Sequence, residues 1–216
     1  MTYAVKEIYY TLQGEGAHAG RAAVFLRFSG CNLWTGLEKE RQKGPGGCSL
    51  WCDTEFVGTD GPRGGKFRDP SNLAEAVKAA WPLRVSGRAR PFVVCTGGEP
   101  LLQLDTQLLD ALEDIEFDVA VETNGTQAVP KGRLWLTVSP KANAPLRVRQ
   151  GNELKLVYPQ EGIDPAEFSA LAFDHFFLQP LDGPNRIENT RRALEYCLTN
   201  PQWRLSLQTH KFIGIP

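Results

Sequence analysis

Short apolar segments alternate with segments of helical periodicity along most of the chain. The first apolar run, AAVFLRF (22–28), predicts a strand, and PFVVC (91–95) is typical of a buried strand. Later runs each begin apolar and end in polar or turn residues: FDVAVETNG, RLWLTVSPK, NELKLVYP and HFFLQPLDG. WRLSLQTHKFIGIP closes the chain as a last strand and tail. This alternation predicts an α/β fold with a mostly parallel sheet.

Three segments have the spacing of amphipathic helices: SNLAEAVKAAW (71–81), with Ser71 as the N-cap candidate, LLQLDTQLLDALEDI and NTRRALEYCLTN. Helices are sparse between the later strands, which predicts an incomplete, partly open barrel rather than a full eightfold one. The stretch from Gly58 to Pro70 is rich in glycine and proline, and we expect a surface loop there. Residues 1–216 are most simply one domain.

Polar side chains recur on the C-terminal side of successive predicted strands. The segments CTGGEP, ETNG, SPK, QPLD and QTH each follow an apolar run. In barrels and open α/β sheets, ligands bind at this end of the strands. The sequence therefore predicts a binding site built from these five segments.

The composition excludes several classes of function. Hydrophobic residues make up 42% and charged residues 23% of the 216 residues, and the formal net charge is −1. No basic field indicates nucleic acid as a partner, and no apolar run approaches the roughly 20 residues of a membrane span. The N-terminus has no signal-peptide pattern. Five cysteines, an odd number, favour a reducing cytoplasm over a disulfide framework.

Three of the five cysteines fall in one loop-like stretch, GCNLWTGLEKERQKGPGGCSLWCDTEF. Cys48 and Cys52 are four residues apart, so their side chains share one face of a helical turn, and Cys31 can fold back across the loop. Three thiolates suit zinc, with His18, His210 or a water as fourth ligand, or a four-iron cluster with one iron open to substrate. The spacing alone leaves zinc, a cluster and no metal at all open.

A larger set of motifs resembles one family. These motifs run nearly end to end, in order: TLQGEG, GRAAVFLRFSGCNLW, WCDT, CTGGEP, ETNG, SPKA, GNELKLV, QPLDGP and WRLSLQTHK. Together they resemble 7-carboxy-7-deazaguanine synthase, a radical S-adenosylmethionine (SAM) enzyme of queuosine and 7-deazapurine biosynthesis. The cysteine gaps of sixteen and three residues are longer than the family pattern. The longer first gap is easily absorbed, because the cost of closing a loop grows slowly with its length.

The resemblance implies a barrel of the radical SAM type with an elongated cluster-binding loop at about residues 29–56. The implied activity is a carbon–nitrogen lyase reaction, the ring contraction of 6-carboxy-5,6,7,8-tetrahydropterin to 7-carboxy-7-deazaguanine with loss of ammonia. It implies that Cys31, Cys48 and Cys52 hold a [4Fe–4S] cluster and that Thr54 binds Mg²⁺. The implied SAM-binding residues are Gly98, Ser139, Pro140, Lys141, Gln179, Pro180, Leu181 and Asp182.

The resemblance also implies a set of substrate-binding residues: Leu12, Gln13, Gly14, Arg27, Thr96, His210 and the terminal carboxylate at Pro216. A guanidinium grips a carboxylate through two hydrogen bonds, so Arg27 is suited to the pterin carboxylate. Without the resemblance, a solvent-facing arginine would be the better interpretation. Glu122, Asn124 and His210 are candidates for proton transfer. Cys95 and Cys197 lie in segments where buried structural thiols are common.

Two other functions remain compatible with the residues. Glycyl-radical-enzyme activases share the cysteine triplet and the glycine-rich motif but act on a protein partner. A zinc-binding module would have no catalysis, and its iron and sulfide content would separate it from the enzymes. For the synthase, the resemblance implies a small pterin substrate, an electron donor such as flavodoxin or ferredoxin, and a homodimer.

Overall fold

The computed structural model describes residues 2–43, 47–82 and 90–216. Residues 44–46, which belong to the predicted cluster-binding loop, lie outside the described residues. The strands are β1 (Tyr3–Leu12), β2 (Ala22–Phe28), β3 (Gly65–Phe67), β4 (Phe92–Gly97), β5 (Asp118–Thr123), β6 (Trp135–Val138), β7 (Gln150–Tyr158), β8 (Ala172–Pro180) and β9 (Trp203–Leu205). They form one sheet in the order β3-β1-β2-β4-β5-β6-β7-β8-β9.

The sheet is mostly parallel and open. β1 pairs antiparallel with β2 and with β3, and each neighbouring pair from β2 to β9 is parallel. The predicted α/β fold with an incomplete, partly open barrel is therefore confirmed. Among the described residues, no helix is both long enough and apolar enough to cross a membrane.

Three α-helices cover the outer face of the sheet: α1 (Pro70–Ala80), α2 (Thr106–Asp114) and α3 (Arg186–Thr199). A short fourth helix, α4 (Thr209–Ile213), follows the last strand. Leu73, Leu108 and Ala193, one from each long helix, are fully buried in the same core as the outward side chains of the strands. Burying this apolar stripe is what holds each helix against the sheet.

The alternation of side chains along β4 shows how the two faces of the sheet divide. Val93 and Cys95 point into the core beneath the helices, whereas Phe92 and Val94 belong to a second cluster on the inner face. Thr96, the next inward residue, lines the cavity. Because successive side chains of a strand face opposite sides, β4 contributes to the core beneath the helices, to the second apolar cluster on the inner face and to the cavity.

Two local predictions were wrong, and a third was right only in part. α1 begins at Pro70, and its N-cap is Asp69, whose carboxylate accepts from the backbone N–H of Ser71 at 2.7 Å. Proline fits the first helical position, so the helix begins one residue before the predicted cap. The stretch predicted to be a surface loop contains β3, which pairs with β1. The last strand is only three residues long, and α4 forms most of the predicted tail.

Candidate active site

A cavity of about 420 Å³ opens at the C-terminal end of the parallel strands. All five predicted polar segments reach it, through Thr96, Glu122, Ser139, Gln179 and Gln208. The carboxyl ends of parallel strands meet at one edge of a sheet, so segments far apart in sequence converge there. The prediction that these segments form one site is consistent with this convergence.

The three clustered cysteines lie on the wall of this cavity. Cys48 is on a short 3-10 helix (Gly47–Leu50), and the backbone N–H of Cys52 donates to the carbonyl of Cys48 at 2.8 Å. This helical hydrogen bond places the second and third cysteines on the same turn, as their spacing predicts. The loop after β2 carries Cys31, whose Sγ accepts from the backbone N–H of Leu33 at 3.4 Å. The cysteine triplet is therefore assembled on one side of the cavity.

Cys48 is buried, and Cys31 and Cys52 are partly buried. Burial raises the pKa of Cys31, and it raises the pKa of Cys48 to about 11 against the opposing charge of Lys141. A bound metal reverses this preference, because a coordinated thiol loses its proton.

Among the described residues, no group of three or more His, Cys, Asp or Glu side chains is arranged to hold a metal ion. The proposed zinc ligand His18 lies elsewhere. Its ring packs 4.9 Å from the ring of Phe92 and 4.4 Å from that of Trp135, at the starts of β4 and β6. This is the N-terminal end of the barrel, opposite the cysteines, so His18 as a fourth ligand was wrong.

The glycines of TGGEP press directly against the cysteine loop. Gly97 has a φ of 124°, and a Cβ on Gly98 would lie 2.1 Å from the carbonyl oxygen of Gly30. The backbone N–H of Glu99 donates to that same carbonyl at 3.0 Å. Any side chain at position 98 would separate the two segments, so glycine is required there. The contact brings the TGGEP motif against the residue that precedes Cys31.

Glu99 fastens two strand ends together beneath the cavity. Its side chain is fully buried and accepts from the hydroxyl of Thr123 at 2.7 Å, from the N–H of Asn124 at 2.8 Å and from the N–H of Leu101 at 2.9 Å. Buried carboxylates are costly unless they are satisfied in this way. The ends of β4 and β5 are therefore held at a fixed distance by one side chain.

Ser139 and Lys141 face the cysteines from the end of β6. The ammonium group of Lys141 donates to the hydroxyl of Ser139 at 2.5 Å and lies 5.6 Å from the ring centre of Trp51. Burial lowers the pKa of Lys141, while Cys48 and Cys52, as thiolates, would raise it. The site thus places a cation close to the thiols.

Arg27 lines the cavity on the inner face of β2. Its Nε donates to Oε1 of Glu7 at 2.7 Å, and its Nη2 donates to the hydroxyl of Tyr9 at 2.7 Å. Five N–H donors are available on a guanidinium, so Arg27 has the capacity to bind a carboxylate in addition to these partners. The side chain of Arg27 therefore points into the cavity and not toward solvent.

A buried charge cluster forms another part of the wall. Lys155 is 4% exposed, and its ammonium group donates to Glu15 at 2.5 Å and to Glu122 at 3.2 Å. Gln13 donates to the same oxygen of Glu122 at 3.0 Å. Nearby carboxylates, including that of Glu153, raise the pKa of Lys155 against the effect of burial, so the lysine stays charged.

The C-terminal segment closes the cavity. The carbonyl of Gly14 accepts from the N–H of Thr209 at 3.0 Å, and a Cβ on Gly14 would lie 2.2 Å from Nδ1 of His210. The carbonyl of Pro216 accepts from the hydroxyl of Thr11 at 3.0 Å. The end of β1 and the C-terminal segment are thereby fixed to one another, with His210 and Pro216 lining the cavity.

Comparison with known proteins agrees with this geometry. The chain is 59% identical over 216 residues to 7-carboxy-7-deazaguanine synthase of Bordetella pertussis, with 100% of both chains covered. It is 57% identical to that of Caulobacter vibrioides, again with 100% of both covered, and 39% identical to that of Bacteroides thetaiotaomicron, with 98% and 97% covered. The chain belongs to the 7-carboxy-7-deazaguanine synthase family. No family model matches it.

A solved structure also supports membership of the synthase family. The crystal structure of QueE from Escherichia coli superposes with a TM-score of 0.68 at 30% identity, covering 97% of this chain and 95% of that chain. The open, mostly parallel sheet is thus the radical SAM fold that the motifs imply.

Most of the residues that the synthase motifs single out line the one cavity. They are Leu12, Gln13, Arg27, Cys31, Cys48, Cys52, Thr54, Thr96, Gly98, Glu122, Asn124, Ser139, Lys141, Gln179, His210 and Pro216. Five others are not among its lining residues: Gly14, Pro140, Pro180, Leu181 and Asp182. The individual roles of all these residues stay predictions.

Several lining residues were missed by the sequence reasoning. Glu15 lies in the motif TLQGEG and Lys155 in the motif GNELKLV, but neither was given a role. The inward direction of Lys155 is visible only as strand alternation. Tyr9 lies outside every motif, and Lys211 is the last residue of WRLSLQTHK but was given no role there. These residues matter because they supply charges and hydrogen-bond partners to the predicted set.

Proposed function

We propose that this cavity performs the ring contraction of 6-carboxy-5,6,7,8-tetrahydropterin to 7-carboxy-7-deazaguanine with loss of ammonia, in queuosine and 7-deazapurine biosynthesis. The observation that carries the proposal is the contact of Gly98 and Glu99 with the carbonyl of Gly30. It joins the glycine-rich motif to the cysteine loop in one cavity that also contains Arg27.

The cavity wall is suited to a [4Fe–4S] cluster. Cys31, Cys48 and Cys52 would hold it, since three thiols on one wall leave one iron free for another ligand. When bound, the cluster and SAM supply the radical that starts the reaction. Lys141 would offset part of the negative charge that the deprotonated thiols bring into a buried site.

SAM would lie beside the cluster, along the ends of β4, β6 and β8. Gly98 would let its backbone approach the ligand, while Ser139, Lys141 and Gln179 supply side-chain hydrogen bonds from the opposite wall. Pro140, Pro180, Leu181 and Asp182, also predicted to bind SAM, are not among the lining residues of the cavity and would act by fixing the backbone of those that are.

The pterin would bind on the side of β1 and β2. Arg27 would grip its carboxylate, and the walls at Leu12 and Thr96 would exclude water from its ring. Glu122 accepts hydrogen bonds from the ammonium group of Lys155 and from the side-chain amide of Gln13.

Several further residues complete the proposed site around the substrate. Gln13, Gly14 and His210 would shape the pocket around the pterin, with Pro216 as a hydrogen-bond acceptor. Glu122, Asn124 and His210 are the candidates for moving protons. Thr54 would supply one hydroxyl ligand to Mg²⁺, which prefers oxygen donors and often takes others from substrate and water.

The proposal includes partners and a setting. A flavodoxin or ferredoxin would deliver the electron, the chain would act as a homodimer, and a cytoplasmic location suits thiols that must stay reduced. These parts rest on the family resemblance and the cysteine content alone.

The test is an anaerobic reaction of the reconstituted protein with SAM, a reductant, Mg²⁺ and 6-carboxytetrahydropterin, followed by mass spectrometry. We expect the mass of 7-carboxy-7-deazaguanine from the wild type and none from Cys31→Ser. Cleavage of SAM without that product would overturn the pterin assignment and favour an activase. Product from protein loaded with zinc alone would overturn the role of the cluster.

A further inference from the structure

Thr54 lies between two acidic residues, and each of these is held by a lysine from a distant part of the chain. Asp53 accepts from the ammonium group of Lys211 at 2.6 Å. Glu55 accepts from the ammonium group of Lys6 at 2.8 Å. The segment that follows Cys52 is thus fastened on both sides of the predicted Mg²⁺ ligand.

The two lysines differ in what else they hold. Lys6 also binds Asp60 at 2.8 Å, so both of its partners belong to the same loop. Lys211 instead binds Asp182 at 2.7 Å, in the QPLD segment at the end of β8. Lys211 therefore joins three separate parts of the chain: the cysteine loop, the end of β8 and α4.

The position of Lys211 places this junction at the edge of the site. It lines the cavity together with Asp53 and with the preceding residue His210. The α4 helix that carries it is itself fixed to the segment after β1, through the hydrogen bond from Thr209 to Gly14. Lys211 has little freedom to move away from its two carboxylates.

The expected energies indicate that the ion pairs of Lys211 affect the geometry of the site and not the stability of the fold. The side chains of Lys211, Asp53 and Asp182 are 27%, 55% and 32% exposed. Ion pairs with this exposure contribute about 0–1 kcal/mol to stability. A displacement of about 1 Å at a binding site, by contrast, can change function many-fold.

We propose that Lys211 is a positioning residue for SAM. It holds the segment after Cys52 and the segment after β8 in one arrangement at the edge of the cavity. The inference rests on the proposed function, because SAM is what the two segments would jointly enclose. It adds to that function a residue whose side chain acts through Asp53 and Asp182.

The test compares Lys211→Met, Lys211→Arg and wild type. Arg191→Met is the matched control, because Arg191 also bridges two carboxylates, Glu188 and Glu195, on the exposed face of α3. The first readout is amide hydrogen exchange in the cofactor-free protein. We expect faster exchange at residues 52–57 in Lys211→Met, with Lys211→Arg and Arg191→Met like wild type.

The second readout is the dissociation constant of SAM for cluster-loaded protein at equal iron content. We expect it to rise about tenfold in Lys211→Met, and to return to within about threefold of wild type in Lys211→Arg. Unchanged exchange, or unchanged SAM binding in Lys211→Met, overturns the inference. If the wild-type protein does not bind SAM, while Lys211→Met still exchanges faster than wild type at residues 52–57, the proposed function is overturned instead.

Discussion

The ammonium group of Lys155 lies 3.2 Å from Oε1 of Glu122, at a point where neither side chain has free access to solvent. Glu15 binds the same ammonium group, and Glu153 contributes a further negative charge close by. A cluster of carboxylates around a buried cation is costly to disrupt, because removing the cation leaves like charges in a medium of low dielectric constant. Lys155 therefore supports both the stability and the shape of the cavity.

Replacing Lys155 with methionine should lower the free energy of unfolding by about 3–5 kcal/mol. The methionine keeps most of the side-chain volume, so the loss measures the uncompensated carboxylates and not a cavity. Urea denaturation of metal-free protein measures the change. Lys66→Met, at an exposed position on β3, should change it by less than about 0.5 kcal/mol. An equally small effect at position 155 would contradict the buried charge cluster.

The same cluster predicts a dependence of stability on pH. Burial would raise the pKa of Glu15, but the charge of Lys155 outweighs it and holds the pKa well below the ordinary 4.5. The stabilisation from Glu15 is therefore complete above about pH 4.5 and is lost as the pH falls further. In Lys155→Met the charge that opposes burial most strongly is removed, so the pKa of Glu15 should rise, with only the hydrogen bond from Gln208 and the charge of His210 still lowering it. The stability difference between variant and wild type should then narrow between pH 7 and pH 5, and a constant difference would count against this explanation.

Each of Cys31→Ser, Cys48→Ser and Cys52→Ser should lose most of the iron and acid-labile sulfide after anaerobic reconstitution, since each removes one of three ligands. Cys197→Ser is the matched control, because Cys197 is half-buried on α3, away from the cavity. It should keep the iron content of the wild type. Equal losses of iron and sulfide in all four variants would show that cluster content does not depend specifically on Cys31, Cys48 and Cys52.

Glu99→Gln should destabilise the protein by about 1–3 kcal/mol, because the amide nitrogen cannot accept the hydrogen bond that the backbone of Asn124 or Leu101 donates. The variant should also raise the KM for SAM, since the ends of β4 and β5 are no longer fastened. Thermal unfolding and steady-state kinetics measure the two effects. Glu113→Gln, on the exposed face of α2, should do neither.

Arg27→Lys should raise the KM for the pterin by roughly tenfold or more, because an ammonium group cannot reproduce the fork that a guanidinium offers to a carboxylate. The KM for SAM should stay close to that of the wild type, since the proposed SAM site lies along the ends of β4, β6 and β8 and does not include Arg27. Steady-state kinetics with each substrate varied in turn separate the two. Equal changes in both would indicate a general disturbance of the cavity.

The fold could be predicted where the apolar pattern was continuous. Val93 and Val94 sit in an uninterrupted apolar run, and β4 was found there. β1 was missed, since Lys6, Glu7 and Thr11 interrupt its apolar positions, and its register shifts between Val5 and Glu7. β3 is too short to produce an apolar pattern, and the residues around it are rich in glycine.

The site could be predicted where a motif fixes the backbone, as at Gly98, where a side chain would collide with Gly30. The motifs include residues that act through long-range pairing, but nothing local to a motif shows which distant residue each one pairs with. Lys211 and Asp53 are 158 residues apart, and Lys155 and Glu15 are 140 apart. Only the folded sheet brings such pairs together, so single-sequence reasoning could not find them.

The central claim is that a cluster held by Cys31, Cys48 and Cys52 drives pterin ring contraction despite the long cysteine gaps. The most direct measurement follows product formation in samples reconstituted to graded extents, with the [4Fe–4S] content of each sample determined by Mössbauer spectroscopy. We predict that the rate of 7-carboxy-7-deazaguanine formation rises in proportion to cluster content and vanishes without it. Full cluster content with no product, or product that does not depend on the cluster, would contradict the claim.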